Sequence, residues 1–258
     1  MNLSVQHLSF SYGNQEILRD VSFTAQSGEL LAVLGANGAG KSTLFRCILG
    51  SLSNYAGMIS VHGTDLRHLS ARELAQYIAY IPQNHRQTSG YTVLDTALMG
   101  LTRRIGTFSQ PKEEHTALAM SALSRLGIAD LAHRQFSRLS GGEQQLVLIA
   151  RAMTQQAEIL ILDEPTSSLD YGNQLRVLEQ IKELTHQGYT VLLSTHNPQH
   201  ALHFADSVLA LHDGSAAAFG KTEDVLTTAL LRTLYRVETT FVETENGTVI
   251  VPQLGGGD

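Results

Sequence analysis

The sequence predicts a mixed α/β fold: a mainly parallel sheet with crossover helices, joined to an antiparallel β part and interrupted by a helical insert. Short apolar runs typical of fully buried strands alternate with helical patterns along most of the chain. The start of the chain instead alternates apolar with polar residues, and one long central stretch is helical throughout. With 258 residues, the chain is long enough to bury a full core.

The first elements are predicted to be antiparallel strands. Apolar residues alternate loosely with polar ones over residues 3–10 and 21–23, before a turn at 27–28, which indicates two or three strands. The pattern then changes to a glycine-bounded apolar run at 30–34, which is typical of a buried parallel strand. Residues 41–49 have the spacing of the helix that follows this strand.

Four more apolar runs, with helical patterns between them, predict the rest of the parallel sheet. They lie at residues 78–81, 159–162, 191–193 and 208–211.

The helical insert is predicted between residues 92 and 139. Its helices are expected over 93–101, 112–126 and 128–133, after an irregular polar entry at 84–90. Near the end, a helix is expected over 222–235, followed by a hairpin with strands at 239–242 and 249–251 around Asn246-Gly247. The last residues, 255–258, are expected to be disordered.

These patterns predict one domain over residues 1–258 with three parts. The core and its antiparallel part take residues 1–82 and 154–220, a helical subdomain takes 83–153, and a C-terminal helix and hairpin take 221–258.

Composition narrows the possible partners and the compartment. The formal net charge is -6, without the basic excess of a nucleic-acid binder, so no nucleic-acid partner is expected. The single cysteine, Cys47, precludes an internal disulfide and favours a reducing compartment. The sequence shows no leader pattern and no run long enough to span a bilayer, so membrane association is expected through a partner.

A phosphate-binding loop is the strongest chemical motif. It follows the predicted strand at 30–34, opens the next helix, and includes the flanking Thr43. The loop glycines allow the backbone to wrap phosphates, Lys41 reaches the β and γ groups of ATP, and Ser42 offers a ligand for Mg²⁺. The alternative is a glycine-rich turn with a surface lysine. The residues expected to bind the nucleotide here are Gly35, Ala36, Asn37, Gly38, Ala39, Gly40, Lys41, Ser42 and Thr43.

Two acids, Asp163 and Glu164, end the apolar run at 159–162 and so project beyond the carboxyl edge of the sheet. We expect Mg²⁺ to be held through Asp163 and Ser42, and Glu164 to orient or deprotonate the water that attacks the γ-phosphorus. The alternative is that the acids only cap the next helix.

Three single residues are further candidates. His196 follows another buried strand and can reach the γ-phosphate, although isolated histidines are often plain polar residues. With His200 and His203 it also mimics metal-ligand spacing, but no cysteine or acid completes such a site nearby and zinc binding is not expected. Gln83 can touch the metal or its water, or be an ordinary loop residue. Tyr12 can stack on an adenine face or belong to the core.

A second anion cradle is predicted at Ser140-Gly141-Gly142, where a serine and a glycine pair open a helix. Because the phosphate-loop lysine lies about a hundred residues upstream, we expect the anion here to be held by a second copy of the chain.

Taken in order, these motifs resemble those of the ATP-binding cassette ATPases over about residues 3 to 220. The resemblance implies a P-loop NTPase core and the catalytic set Lys41, Gln83, Glu164 and His196. It implies that Tyr12 stacks on adenine, that Gln83 is the Q-loop glutamine and a ligand of the metal, and that His196 is the switch histidine. Ser140 to Gly142 are then the signature that contacts the opposite subunit's ATP, and Asp170 lies in the dimer-contact loop.

Softer patterns are similar to those of the importer ATPases for metal chelates: iron siderophores, haem, cobalamin and, in some members, molybdate. These patterns lie at 92–100, 107–111 and 196–202 and in the terminal hairpin. The resemblance implies a homodimer on the cytoplasmic side of the cell membrane, bound to permease subunits and served indirectly by a periplasmic or lipid-anchored binding protein. The alternatives are an exporter's ATPase subunit and a non-transport cassette ATPase of iron-sulfur cluster assembly.

Overall fold

The computed structural model describes residues 2–83, 90–102 and 110–253, and the features below belong to those ranges. Most of the predicted entry to the helical insert, at 84–89, lies outside the described residues. So do residues 107–109 of the importer-like pattern and the tail at 255–258 that was predicted to be disordered.

The strands and helices are numbered in chain order. The strands are β1 Leu3–Tyr12, β2 Gln15–Ala25, β3 Leu30–Leu34, β4 Ala56–Val61, β5 Thr64–Asp65, β6 Ile78–Ile81, β7 Ile159–Asp163, β8 Thr190–Thr195, β9 Ser207–His212, β10 Ser215–Lys221, β11 Thr239–Thr244 and β12 Gly247–Pro252. The α-helices are α1 Lys41–Ile48, α2 Ala71–Tyr77, α3 Val93–Leu98, α4 Glu113–Arg125, α5 Gly141–Thr154, α6 Tyr171–His186, α7 Pro198–Phe204, α8 Thr222–Val225 and α9 Thr228–Tyr235.

Across the described ranges, β1 to β10 form one sheet in the order β5-β4-β1-β2-β10-β9-β3-β8-β7-β6. The run from β9 to β6 is parallel, whereas β1, β2, β4 and β5 pair antiparallel. A single parallel pairing, Ser215 with Arg19, joins the two parts through β10 and β2. This arrangement confirms the predicted fold class.

The central strands bring the candidate residues to one edge. Every residue of β3 and β7 is buried, as expected for strands covered on both faces. In the sheet register Leu34 lies opposite Thr195, and Asp163 lies opposite Ser194. The segments that follow β3, β7 and β8 therefore leave the sheet side by side at its carboxyl edge.

The predicted helical region packs on the same core as the sheet. Ala119 and Leu123 of α4, Leu146 of α5 and Leu160 and Leu162 of β7 belong to one buried cluster. The helices expected over 93–101 and 112–126 are confirmed, the first as α3 followed by a short 3₁₀ turn. Over 128–133 the structure has only a 3₁₀ turn, Ala129–Leu131.

Four elements of the structure were not predicted, and one predicted helix was wrong. The unpredicted elements are β4, β5, α2 and β10. The single helix expected over 222–235 is instead split, because α8 ends at Val225 and the Thr227 hydroxyl accepts the Leu230 N–H at 3.2 Å, which starts α9 afresh.

The C-terminal hairpin is confirmed, with Thr244 paired to Gly247 at the turn and Phe241 paired to Ile250 further along. One face of it lies against α7 and α9, where Phe241 and Ile250 pack on a buried cluster. Among the described helices, none is long and apolar enough to cross a membrane.

Candidate functional site

The loop between β3 and α1 has the backbone shape that its glycines predict. Gly38 and Gly40 adopt left-handed φ values of 85° and 104°. A Cβ on Gly40 would lie 2.9 Å from a methyl of Leu18, and a Cβ on Gly35 would lie 2.5 Å from the carbonyl oxygen of Leu211. Gly40 caps α1 without any side-chain hydrogen bond, so the first N–H groups of α1 face the loop as donors.

Lys41 is buried and points back over this loop. Its Nζ donates to the carbonyl oxygens of Gly35 at 2.8 Å and of Ala36 at 3.2 Å. It also lies 3.4 Å from Oε1 of Glu164, although β7 is far away in sequence. The ammonium group therefore sits between the phosphate loop and the acid at the end of β7.

Ser194 holds both acids at the end of β7. Its Oγ donates to Oδ1 of Asp163 at 2.6 Å and accepts the backbone N–H of Glu164 at 2.8 Å. Asp163 is 5% exposed. The backbone of Glu164 has a φ of 46°, which turns its side chain out of the strand direction. Ser194 was not predicted, although a buried serine directly after the apolar run at 191–193 was a usable signal.

Three predicted residues converge on the carboxylate of Glu164. Gln83 Nε2 donates to Oε2 at 3.0 Å, His196 Nδ1 lies 3.4 Å from Oε2, and Lys41 Nζ lies 3.4 Å from Oε1. The Glu164 side chain is 12% exposed, so these contacts compensate a charge that has lost most of its water. The four residues come from the loop after β3, the loop after β6, and the ends of β7 and β8.

A cavity of about 540 Å³ opens between the phosphate loop and this cluster. Gln15 and Ile17 of β2 form part of its wall, and neither was predicted from the sequence. Tyr12 is not among the lining residues, but it pairs with Gln15 across the β1–β2 hairpin and its hydroxyl lies 3.5 Å from an Arg46 nitrogen. The lining residues are Gln15, Ile17, Asn37, Gly38, Gly40, Lys41, Ser42, Thr43, Gln83 and Glu164.

The oxygen groups at this edge suit Mg²⁺, which prefers hard oxygen ligands. The Ser42 side chain is exposed at the start of α1, and Asp163 presents a carboxylate of which Ser194 engages one oxygen. Burial, and then the negative charge of Asp163, raise the pKa of Tyr80 to about 12, so this phenol stays neutral beside the acid.

The second predicted cradle is the N-terminus of α5. Ser140 and Glu143 form a capping box: Ser140 N and Oγ donate to Glu143 Oε2 at 2.8 and 2.7 Å, and Glu143 N donates back to Oγ at 3.4 Å. These hydrogen bonds lower the pKa of Glu143. The S-x-x-E spacing at residues 140–143 is the sequence signal of this capping box, which was not predicted.

The glycine pair packs against the start of α6. A Cβ on Gly142 would lie 2.5 Å from Oδ1 of Asn173, and one on Gly141 would lie 3.0 Å from a methyl of Leu169. Asp170 caps α6 by accepting the Asn173 N–H at 2.9 Å, and this bond lowers the pKa of Asp170. The two segments predicted to meet a partner subunit thus lie side by side, and their exposed residues Ser140, Gly141 and Asp170 define the α5–α6 surface; Gly142 is buried.

The structure does not bring the α5–α6 surface to the cavity beside Lys41. None of Ser140, Gly141, Gly142 or Asp170 lines that cavity in the described part of the chain. The three histidines of the metal-like spacing have different surroundings. His196 faces Glu164, His203 Nε2 lies 2.9 Å from the carbonyl oxygen of Thr248, and His200 is buried.

The family model described as ABC transporter matches residues 18–167. The molybdate import ATP-binding protein MolC of Haemophilus influenzae is 38% identical over 237 residues, which cover 91% of this chain and 88% of that protein. The manganese transport system ATP-binding protein MntB of Bacillus subtilis is 36% identical over 243 residues, covering 93% and 95%.

A solved structure extends the similarity to nearly the whole chain. It is an inward-facing ABC transporter assigned to the metal-chelate type, 36% identical, with a TM-score of 0.86. The match covers 98% of this chain and 97% of that chain.

Ser194→Ala should lower the rate of ATP hydrolysis about tenfold, because Asp163 and the Glu164 backbone lose the hydroxyl that fixes them. Steady-state kinetics on the purified chain measure this. Ser207→Ala is the matched control, since Ser207 is another buried serine, bonded to Glu29 on the far side of β3. Equal rates for the Ser194→Ala variant and the wild type would show that Ser194 does not hold the acids for catalysis.

Proposed function

The chain belongs to the ABC transporter family, and from this premise we propose that it is the ATP-hydrolysing subunit of an importer for a metal chelate or a molybdate-type substrate. The observation that carries the catalytic part is the convergence of Lys41, Gln83 and His196 on Glu164. The near full-length likeness to a metal-chelate type transporter supports the substrate class. The similarity to MolC supports a molybdate-type substrate. The similarity to MntB makes manganese the competing candidate.

The reaction assigns a separate task to each residue. Lys41 and the N–H groups at the start of α1 bind the β- and γ-phosphates. Ser42, Asp163 and Gln83 would hold Mg²⁺, which supplies positive charge where the transition state spreads negative charge. Glu164 orients the attacking water and accepts its proton. His196, whose Nδ1 lies 3.4 Å from Oε2 of Glu164, donates a hydrogen bond to the γ-phosphate. Tyr12, at the rim beside Gln15, stacks on the adenine.

The second half of the site comes from another copy of the chain. The α5–α6 surface offers a helix N-terminus and the Ser140 hydroxyl, yet it lines no part of its own chain's nucleotide cavity. Two copies placed head to tail would bring this surface of each onto the ATP of the other. Such a dimer hydrolyses ATP only when both chains meet, which makes dimerisation part of the catalytic cycle.

The proposed complex includes membrane subunits. The solved structure that the chain resembles is described as an ABC transporter of the metal-chelate type, which supports membrane subunits as partners. We therefore place the chain at the cytoplasmic face of the cell membrane, as a peripheral dimer on two permease subunits. A binding protein outside the membrane delivers the substrate to the permease.

Glu164→Gln should lower the rate of ATP hydrolysis by at least about 100-fold, because an amide cannot accept the proton of the attacking water. ATP-dependent dimerisation should remain, since the phosphate loop is unchanged. Phosphate release and size-exclusion chromatography with ATP measure the two effects. Glu179→Gln, on the exposed face of α6, is the control with the same chemical change. Near-normal hydrolysis by the Glu164→Gln variant would refute the assigned role.

A mixed dimer tests the shared site. If Lys41→Ala and Ser140→Arg are placed in different chains, one of the two composite sites carries neither change and should still close on ATP, at about half the wild-type extent. If both changes are in one chain and the partner is wild type, each composite site carries one change and closure should fail. Cross-linking across the interface reports closure. Equal closure in the two arrangements would contradict the contribution of Ser140 to the partner's ATP.

Uptake in cells tests the substrate class. Cells that carry Glu164→Gln in place of the wild-type chain should lose accumulation of one of four labelled substrates: ferric siderophore, haem, cobalamin or molybdate. Free manganese is the competing arm. Loss of manganese uptake alone would correct the substrate, and a gain of intracellular substrate in the variant would indicate export.

A further inference from the structure

Two side chains of α7, Gln199 and His203, contact the C-terminal hairpin. The N–H of Ile250 donates to Oε1 of Gln199 at 2.9 Å, and Nε2 of Gln199 donates to the carbonyl oxygen of Thr248 at 3.1 Å. One helical turn later, Nε2 of His203 lies 2.9 Å from the same carbonyl oxygen. Helix α7 thus holds strand β12 at two points on one face.

The Gln199 contact imitates a neighbouring β-strand. A side-chain amide carries the same donor and acceptor pair as a peptide group, and here it bonds the Ile250 N–H and the Thr248 carbonyl of β12. A two-stranded sheet is marginal by itself in water. The hairpin therefore depends on α7, and α7 is held in place by the hairpin.

The start of α7 is tied to His196 through a short, constrained connection. Asn197 Oδ1 accepts the Gln199 N–H at 2.9 Å, and Asn197 N–H donates to the Thr195 hydroxyl at 3.0 Å. Pro198 is the first residue of the helix and has a fixed φ. A displacement of α7 is therefore passed on to His196, with few torsions to absorb it.

A neighbouring face of α7 borders the catalytic residues. His200 is 6% exposed, and no protein group in the described chain hydrogen-bonds to its Nδ1. It lines a cavity of about 70 Å³ together with Glu164 and His196, and the remaining wall is formed by hydroxyl and amide side chains. Such a polar cavity has room for water that would satisfy His200.

The last helix also comes close to this region. Tyr235 ends α9, just before the hairpin, and is largely buried. Burial, and then the negative charge of Glu164, raise the pKa of Tyr235.

We propose that Gln199 is a positioning residue for ATP hydrolysis: its amide locks the β11–β12 hairpin onto α7, and the locked helix holds His196 beside Glu164. The inference rests on the proposed function, in which Glu164 and His196 act on the attacking water and the γ-phosphate. Gln199 itself lines neither of the two cavities that contain Glu164. It acts through α7, so its loss affects the chemical step and spares nucleotide binding.

Gln199→Met tests this in the purified full chain, because methionine keeps the side-chain length and the helix propensity but removes both hydrogen bonds of the Gln199 amide. We expect kcat for ATP to fall about tenfold, with KM changed by less than about twofold, since the phosphate loop is untouched. Amide hydrogen exchange should become faster in residues 247–252. Gln253→Met is the matched control: Gln253 bonds within the hairpin, to Thr240 at 3.0 Å, and its loss should leave kcat unchanged.

Each other outcome overturns the inference. Faster exchange in the hairpin with wild-type kcat would show that the lock does not act on catalysis. Unchanged hydrogen exchange with unchanged kcat would show that Gln199 does not hold the hairpin. An equal loss of kcat in the Gln253→Met variant would show that the effect is not specific to Gln199.

A second variant keeps the test decisive if Gln199→Met lowers the unfolding temperature too far. Gln199→Glu keeps the shape but sets a carboxylate oxygen against the Thr248 carbonyl, so kcat should again fall with KM unchanged. A folded Gln199→Glu variant with wild-type kcat would refute the inference. A wild-type chain that hydrolyses no ATP, or that hydrolyses it equally well as Glu164→Gln, would instead refute the proposed function.

Discussion

Charge compensation at the end of β7 is the interaction on which the rest of the structure depends. Asp163 ends a fully buried strand and Glu164 follows it, so both carboxylates are largely shielded from water and need polar partners. Ser194 binds the first acid and the backbone of the second, while Lys41, Gln83 and His196 surround the second carboxylate. Lys41 opens α1, Gln83 follows β6, and Ser194 and His196 lie in β8 and just after it. The cluster therefore fixes the sheet edge, the phosphate loop and the start of α7 relative to one another.

The parallel sheet makes this cluster possible. Neighbouring strands β3, β8 and β7 all end at one edge, so residues more than a hundred positions apart in sequence meet there. The site also needs close approach of backbones, which explains Gly35 and Gly40: a Cβ at either position would collide with the neighbouring strand or hairpin. The same glycines that shape the loop for phosphates are therefore demanded by packing.

The α5–α6 surface shows the same double use. Gly142 is required by its contact with Asn173, and Ser140 and Asp170 cap their own helices, so each has a structural task before any partner arrives. In the proposed dimer these caps become the half-site that one chain lends to the other. The C-terminal hairpin adds a further layer, since Gln199 ties it to the helix that follows His196.

Local patterns were enough to predict the phosphate loop, the buried strands and the central helices, because each is encoded in consecutive residues. They also marked Glu164 and the three residues that meet there, Lys41, Gln83 and His196, as candidates. Ser194, Gln15, Ile17 and the Gln199 contact escaped prediction, because their partners are set by sheet register and hairpin docking, which no local pattern encodes. The split between α8 and α9 escaped for a related reason, since a threonine cap competed with helix propensity. The sequence by itself determined which chemical groups the protein has; only the tertiary structure decided which of them share one buried carboxylate, since charge compensation acts between groups that the fold brings within hydrogen-bonding distance.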